Sequence, residues 1–324
     1  MRNTGILRVL LGSLALLGPT VLPGCSEDDT GSGGCTDASC ATRCTALGSA
    51  GGHCAAGNCI CDGAADADAD ADTGGDADMG GDADTGTETD GPCIENIDLV
   101  FVLDVSTSMT PILQALRDGI GEVWSYALGL DPEAQFGLVV FVDDVLVTND
   151  GNWYATVGDI QAEFDAWRSF CSSNDEPGGS GGFNTDCPEN SLDAIFAGAT
   201  SFPWRENALH VIVHATDDTF VENPGTLGSS WIVVQHNYPE VLAELRARQI
   251  RLAAFAAHDS SDCSIPPVHN TEPGFFTGWG GDPALPEGTG AQVFDIHEVM
   301  ARTLSMTEAI NDVILDEYCT PFIY

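Results

Sequence analysis

The stretch from Asp98 to Met109 reads DLVFVLDVSTSM, and it decides the fold. Its apolar run, Leu99 to Leu103, has no polar alternation and contains β-branched residues, which is typical of a strand buried on both faces of a parallel sheet. The run ends at Asp104, and Ser106 and Ser108 follow at alternate positions. We expect these polar groups in a loop at the carboxyl end of the strand, where open α/β sheets bind ligands.

From Cys93 onward, strand-like and helix-like segments alternate, which predicts an α/β domain with a doubly wound, mostly parallel sheet. The other predicted strands are Phe136 to Val142, Val145 to Thr148 at an edge, Leu209 to His214, Leu252 to Ala257 and Val293 to Ile296. The predicted helices are Thr110 to Leu128, Ile160 to Trp167, Ser191 to Ala199, Tyr238 to Arg248 and Glu298 to Tyr318.

Two further polar segments are expected at the same sheet edge as Asp104. The strand LHVIVHATDD ends at Asp217, and the segment NTDCPENSLDAI carries Asn184, Asp186 and Glu189 just before a helix. Clusters made only of oxygen donors suit a hard cation, above all Mg²⁺. The alternative is that Asp104 caps a helix and the serines are ordinary turn residues.

These motifs give the segment 93–324 a resemblance to the von Willebrand factor A domain. Within that family it is most similar to the ligand-binding I-like domain of integrin β subunits, which shares the D-x-S-x-S loop, the Asp-x-Pro-Glu segment, the Trp204–Arg205 pair and a strand ending in Thr-Asp. The resemblance implies a metal-ion-dependent adhesion site for Mg²⁺ or Mn²⁺. Its residues would be Asp104, Ser106, Ser108, Glu189 and Asp217.

The same resemblance implies a second site, for Ca²⁺, that shares Glu189 with the first. Its further ligands would be Asp143, Asn184, Asp186 and the carbonyl of Pro188. One carboxylate that bridges two divalent ions avoids the repulsion that several unneutralised carboxylates would experience. Where integrin β subunits carry adjacent aspartates for a third, inhibitory ion, this chain has Pro111 and Ile112, so we expect that site to be missing.

The net charge of the chain limits the classes of partner that it can bind. Fifty acidic and ten basic residues give a net charge of -40, which disfavours nucleic acids and anionic membrane surfaces and favours cations and basic partners. The sequence contains neither a nucleophile elbow nor a P-loop, and its clustered polar groups are used as metal ligands. We therefore expect a binding protein rather than an enzyme.

The first residues read as a lipoprotein signal peptide, 1–24. Arg2 and Arg8 accompany an apolar run from Ile6 to Leu22, too short for a stable membrane span. The segment Leu22 to Cys25 resembles a bacterial lipobox, which implies acylation of Cys25; plain signal cleavage is the alternative. With an anchor and short linker over 25–34, this predicts a lipid-anchored, surface-exposed protein of the bacterial envelope, at the outer membrane of a Gram-negative host.

The segment 35–61 holds six cysteines and little apolar bulk, so disulfides must replace a core. Cys40 and Cys44 are spaced i, i+4, which places them on one face of a helix, and Cys59 and Cys61 are spaced i, i+2, which places them on one face of a strand. Two disulfides could therefore join the predicted helix to the predicted strand. This resembles the cystine-stabilised αβ scaffold of insect-type defensins, which implies the bridges Cys35–Cys54, Cys40–Cys59 and Cys44–Cys61. A rigid spacer or binding knob is favoured over a toxin-like activity, because Arg43 is offset by Asp37 and the segment has no net positive charge. The acidic segment 62–92, rich in Asp, Ala and Gly, predicts a disordered linker.

Twelve cysteines place the protein in an oxidising compartment. In the A-like domain, we expect Cys93 and Cys319 to be neighbours at the amino-terminal edge of the sheet and to be bonded. Cys171 and Cys187 bracket a glycine-rich loop and are expected to pair, which leaves Cys263 as a free thiol or an intermolecular bridge.

Together, these features predict a lipid-anchored adhesin or receptor. A divalent cation at Asp104, Ser106 and Ser108 would bind an acidic side chain of a protein partner, and contact with the membrane would be through the lipid anchor alone. Two alternatives stay open: a structural subunit of an envelope, gliding or adhesion complex, and an antagonistic effector that uses the defensin-like module.

Overall fold

The structure of the protein is a computed structural model that describes residues 49–55, 58–64, 96–184, 187–229, 231–260, 269–318 and 320–323. The chain divides into two units, Met1–Thr85 and Gly86–Tyr324. In the first unit, strands β1 (Ser49–Ala55) and β2 (Asn58–Ala64) form an antiparallel hairpin that pairs Cys54 with Cys59. The predicted acylation site at Cys25, the predicted helix with Cys40 and Cys44, the predicted Cys93–Cys319 bridge and the part of the predicted linker after residue 64 lie outside the described residues.

The strands of the second unit are β3 (Asn96–Asp104), β4 (Gln135–Phe141), β5 (Val145–Val147), β6 (Ala208–Thr216), β7 (Thr226–Leu227), β8 (Ile232–Val233), β9 (Ile250–Ala256), β10 (Asp259–Ser260), β11 (His269–Asn270) and β12 (Val293–Asp295). Six of them form the central sheet in the order β12-β9-β6-β3-β4-β5, parallel except for β5. β7 with β8 and β10 with β11 form two small antiparallel pairs. This mixed α/β arrangement fits a von Willebrand factor A or Rossmann-like fold.

Helices cover both faces of the sheet. They are α1 (Thr110–Leu130), α2 (Val157–Phe170), α3 (Ser191–Ser201), α4 (Tyr238–Ala247), α5 (Leu285–Thr289), α6 (Ile296–Met300) and α7 (Met306–Tyr318). Among the described residues, none of the helices has the length and apolar character needed to span a bilayer.

Strand β3 is the centre of the core. Its residues from Ile97 to Asp104 are all buried, as the unbroken apolar run predicts. Because successive side chains of a strand point to opposite faces, Leu99 and Phe101 pack in one apolar layer, with α1, α2 and α7. Val100 and Val102 pack in the other layer, with α3 and α4. This central position fixes Asp104 at the middle of the carboxyl edge of the sheet.

The predicted last helix, Glu298 to Tyr318, is wrong, because the structure has two helices there. Arg302 has a φ of 61°, in the left-handed region, which interrupts the helical hydrogen bonds. The backbone N–H groups of Thr303 and Leu304 both donate to the carbonyl of Glu298, which closes α6. Ser305 Oγ then accepts from the Glu308 N–H and starts α7.

A buried ion pair holds the opposite, amino-terminal edge of the sheet. The Arg205 guanidinium lies 2.6 Å from the carboxylate of Asp98, which is fully buried, and 3.3 Å from that of Asp131. The Arg205 backbone N–H also donates to Asp98, at 2.8 Å. Every polar group of this cluster therefore has a charged or hydrogen-bonded partner, as buried charges require.

Replacing Arg205 with Ala should lower the free energy of unfolding by about 3 to 5 kcal/mol, because Asp98 would stay buried without its cation. Arg248→Ala is the matched control, since its pair with Glu244 is partly exposed and should contribute less than about 1 kcal/mol. Urea unfolding of the three proteins measures both values. Equal losses in the two variants would contradict the structural role of Arg205.

His214 should make the fold sensitive to acid. It is fully buried between the rings of Phe141 and Phe275, at centroid distances of 5.5 and 5.1 Å. Burial lowers the pKa of its imidazole to about 3. Since the pKa in the unfolded chain is about 6.5, the unfolded chain binds more protons between these values, and stability falls as the pH falls.

From pH 7 to pH 5, the contribution of His214 should destabilise the fold by about 2 kcal/mol. His214→Leu should therefore lose that much less stability than the wild type over this range in urea unfolding. An identical pH dependence of wild type and His214→Leu would show that His214 does not titrate in this way.

Candidate metal centre

The loop after β3 holds its polar groups in a fixed arrangement. The Ser106 N–H donates to Asp104 Oδ1 at 2.7 Å, and the hydroxyls of Ser106 and Ser108 lie 3.1 Å apart. Thr216, at the end of β6, donates its hydroxyl to Asp104 Oδ2 at 2.8 Å. Ser108 donates to Asp217 Oδ1 at 2.8 Å. The ends of β3 and β6 are adjacent because the strands are parallel neighbours, and this brings four of the five predicted ligands together.

Glu189 reaches the same place from the segment before α3. Its backbone N–H donates to the carbonyl of Thr219 at 2.8 Å, which ties this segment to the loop after β6. The carboxylate is fully buried, and its Oε1 accepts a hydrogen bond from Asn184 Nδ2 at 2.6 Å. Its Oε2 is also buried, with no hydrogen-bond partner among the described residues. A buried carboxylate oxygen without a donor is costly, which suggests that a cation belongs there.

Three carboxylates converge in the described part of the chain. Asp104, Glu189 and Asp218 each offer an oxygen atom, and the three oxygens lie within 4.8 Å of one another. Asp104 and Glu189 are buried, and Asp218 is partly exposed. The sequence prediction named Asp217 and missed Asp218. The available signal was the pair of consecutive aspartates at the end of β6, but the resemblance to integrin β subunits pointed to the first of them.

Burial and mutual repulsion make the ionised forms of these carboxylates unfavourable. Burial, with the nearby charge of Asp217, raises the pKa of Asp104 to about 7. Burial, followed by the charges of Asp104, Asp218 and Asp143, raises the pKa of Glu189 well above its usual value. A divalent cation would favour the ionised forms and remove this cost. The donor set consists of oxygens alone, so the residues present fit a hard cation such as Mg²⁺, Mn²⁺ or Ca²⁺.

The predicted second site is only partly assembled by the described residues. Asp143 is buried at the end of β4 and acts electrostatically on Glu189, and Asn184 donates to Glu189. Pro188 is partly buried beside it, whereas Asp186 lies outside the described residues. Asp143 is not part of the converging group of three carboxylates. The Ca²⁺ site therefore stays a prediction.

Two acidic residues that the sequence analysis did not single out hold the loop 174–184 beside the site. Glu176 Oε2 accepts hydrogen bonds from the N–H groups of Asp143 and Asp144, both at 3.1 Å. Asp144 in turn accepts from the N–H groups of Gly178 and Ser180, at 2.6 and 2.9 Å. A Cβ on Gly178 would lie 2.8 Å from the Asp144 carboxylate, so only glycine allows this close approach. These contacts position Asp143 and Asn184.

The predicted Cys171–Cys187 bridge is wrong. Cys171 is a free, fully buried cysteine at the end of α2, whereas Cys187 is disulfide-bonded to another cysteine. Cys171 packs in the apolar layer of β3, α1 and α2, and its thiol forms a hydrogen bond with the Thr110 side chain. Sequence spacing suggested the pair, but the direction of the Cys171 side chain, into the core and away from the loop, excludes it.

No protein-family model matches the chain, and no curated protein matches it. Solved structures with a similar arrangement include an aerotolerance-related membrane protein from Bacteroides fragilis, with a TM-score of 0.42 and 15% identity over 68% of this chain and 99% of that one. Another is a proximal thread matrix protein from the mussel byssus, with a TM-score of 0.41 and 13% identity over 68% of this chain and 47% of that one. Both TM-scores are below 0.5, so the fold assignment rests on the strand order of the sheet.

The Cys171 thiol should be unreactive in the folded protein, because burial raises its pKa to about 12 and keeps reagents away. Iodoacetamide should label Cys171 only after unfolding in denaturant without a reductant, with peptide mapping as the readout. A Cys171 peptide that is found bridged to the Cys187 peptide would contradict the structure.

Proposed function

We propose that the unit Gly86–Tyr324 is a divalent-cation-dependent binding domain whose ligand is an acidic side chain of a protein partner. The observation that carries this proposal is the buried carboxylate of Glu189, whose Oε2 has no hydrogen-bond donor among the described residues and which converges with the carboxylates of Asp104 and Asp218. The proposed ion is Mg²⁺ or Mn²⁺. Its residues are Asp104, Ser106, Ser108, Glu189 and Asp217, with Ca²⁺ at a second site that uses Asp143, Asn184, Asp186 and Pro188.

When bound, the ion would supply a positive charge that attracts a carboxylate at a coordination position left open by the protein. The residues of this chain hold that arrangement in place. Thr216 orients the Asp104 carboxylate, and Asn184 orients that of Glu189. Ser106 is buried, whereas Ser108 is partly exposed, which suits a site that a large partner approaches from the side of Ser108.

The domain is proposed to work at the bacterial envelope. A net charge of -40 opposes nucleic acids and anionic bilayers, so the proposed partner is a protein. Acylation at Cys25 would hold the domain at the bacterial envelope, on the outer membrane, with the acidic linker as a spacer. All clustered acids of the described site are accounted for as ion ligands or loop supports, and on this basis we propose a binding role without catalysis.

Metal binding should stabilise the wild type. An ion at about a hundred times its dissociation constant contributes about 2.7 kcal/mol, which raises the melting temperature of a domain of this size by roughly 5 to 10 °C. Asp104→Ala should lose most of the Mg²⁺ or Mn²⁺ increment, and Asp312→Ala, which removes an exposed acid on α7, should keep it. Thermal unfolding with and without EDTA measures these shifts. An equal increment in wild type and Asp104→Ala would refute the proposed site.

Capture of surface proteins with the full chain, with and without EDTA, separates the proposed function from a structural role. A partner that is released by EDTA, and that Asp104→Ala fails to capture, supports an adhesin or receptor. A partner that stays bound after chelation favours a constitutive subunit of an envelope complex instead.

A further inference from the structure

His210, on β6, has both ring nitrogens within hydrogen-bond distance of a backbone carbonyl. Its Nε2 lies 2.7 Å from the carbonyl oxygen of Arg205, and its Nδ1 lies 3.0 Å from that of Arg248. A carbonyl oxygen can only accept a hydrogen bond, so both ring nitrogens must donate. A neutral imidazole has a single N–H group, whereas the imidazolium has two. The arrangement is therefore complete only when His210 carries a positive charge.

We infer that His210 is a proton-dependent link between the loop before β6 and the turn between α4 and β9. This inference does not depend on the proposed function, since His210 lies at the amino-terminal edge of the sheet, opposite the candidate metal centre. With the proton bound, one imidazolium holds both segments. When the proton leaves, one of the two hydrogen bonds is lost and the imidazole no longer joins the segments.

The buried charges beside His210 favour the imidazolium. His210 lies next to Asp98 in the parallel register of β3 and β6, so the two side chains are on the same face of the sheet. Asp98 and Asp131 are buried and share one guanidinium, that of Arg205. Two carboxylates and one guanidinium leave one negative charge in excess. A positive charge on His210 would neutralise it.

The other charged groups on the elements around His210 do not oppose the imidazolium. The guanidinium of Arg248 is paired with the carboxylate of Glu244, at 2.5 Å, and Glu206 is an exposed acid. The Trp204 ring lies 5.0 Å from the imidazole ring, centroid to centroid. An aromatic ring at this distance attracts a cation. The surroundings of His210 are therefore suited to a positive charge.

The turn that this link holds has a strained backbone. Gln249, between α4 and β9, has a φ of 56°, in the left-handed region that residues other than glycine rarely occupy. Such a conformation persists only where its surroundings hold it. The Gln249 N–H donates to the carbonyl of Arg246 at 3.1 Å, and the preceding carbonyl, that of Arg248, accepts from His210.

The two bonds of His210 differ in length and exposure. The bond from Nε2 is the shorter and is partly buried, whereas the bond from Nδ1 is exposed. The neutral imidazole should therefore keep its proton on Nε2 and lose the bond from Nδ1. Loss of the proton releases the carbonyl of Arg248 and loosens the turn at Gln249.

The pH dependence of this link has the opposite sign to that of His214. The folded chain holds the proton of His210 with two carbonyls, so this contribution to stability is present at low pH and is lost as the pH rises. His214, four residues further along β6, is buried as a neutral imidazole, and its contribution is lost as the pH falls. The strand β6 thus carries one histidine that retains a proton and one that excludes it.

The ring N–H protons of His210, in the ¹⁵N-labelled full chain, give the first test by NMR. At about pH 6, below the ordinary imidazole value, both N–H protons should be observed, because a carbonyl holds each of them and slows its exchange with water. At about pH 8.5, only the Nε2–H signal should remain. His210→Gln identifies the signals by their loss, and they can also be assigned in the wild type through the ring C–H protons. A single N–H signal from His210 at about pH 6 would overturn the inference.

Hydrogen exchange at the turn gives the second test. From about pH 6 to about pH 8.5, the protection factor of the Gln249 amide should fall about ten-fold or more in the wild type, as expected for the loss of a hydrogen bond from a charged group. His210→Gln keeps an N–H donor that does not titrate, so its protection should stay constant. The Asn152 amide, which donates within another left-handed turn, is the internal reference and should not change.

The same pH dependence of the Gln249 amide in wild type and His210→Gln, or no dependence in the wild type, would overturn the inference. Neither result would affect the proposed function, because neither measurement uses a metal ion or a partner.

Discussion

Asp104 and Glu189 place two fully buried carboxylates at one edge of the sheet, and their mutual repulsion is the constraint on which the rest of the site depends. Each is held by a hydrogen bond from a neighbouring segment, through Thr216 and Asn184, but hydrogen bonds do not remove the charge. The pKa of both groups is raised, so the fold keeps them at a cost. A divalent cation bound there would favour the ionised carboxylates and remove this cost.

The buried charge at the opposite edge of the sheet has a different kind of partner. There, Asp98 is neutralised by Arg205, which comes from the chain itself. At one edge, the buried carboxylate has a counter-charge supplied by the chain itself; at the other edge, the proposed ion would supply it from solution. Asp104 and Asp98 lie six residues apart on the same strand, so β3 carries a buried carboxylate at each edge of the sheet.

Much of the fold follows from local patterns in the sequence. Three features could be predicted because they depend on residues that are close in sequence. They are the apolar run of β3, the alternation of strands and helices, and the loop with Asp104, Ser106 and Ser108. The break after Met300 was not predicted, since it depends on one left-handed residue, Arg302, inside a helical pattern. Asp218 and the free thiol of Cys171 were missed for another reason. The direction in which a side chain points at the end of an element depends on contacts with distant segments, which spacing alone does not define.

The measurement that tests the central claim most directly is the anomalous diffraction of Mn²⁺ in crystals of the unit Gly86–Tyr324. The account predicts a Mn²⁺ peak in contact with oxygens of Asp104 and Glu189, with the hydroxyls of Ser106 and Ser108 beside it. A map that shows no peak among these carboxylates at saturating Mn²⁺, or a peak only at other acidic residues, would contradict it.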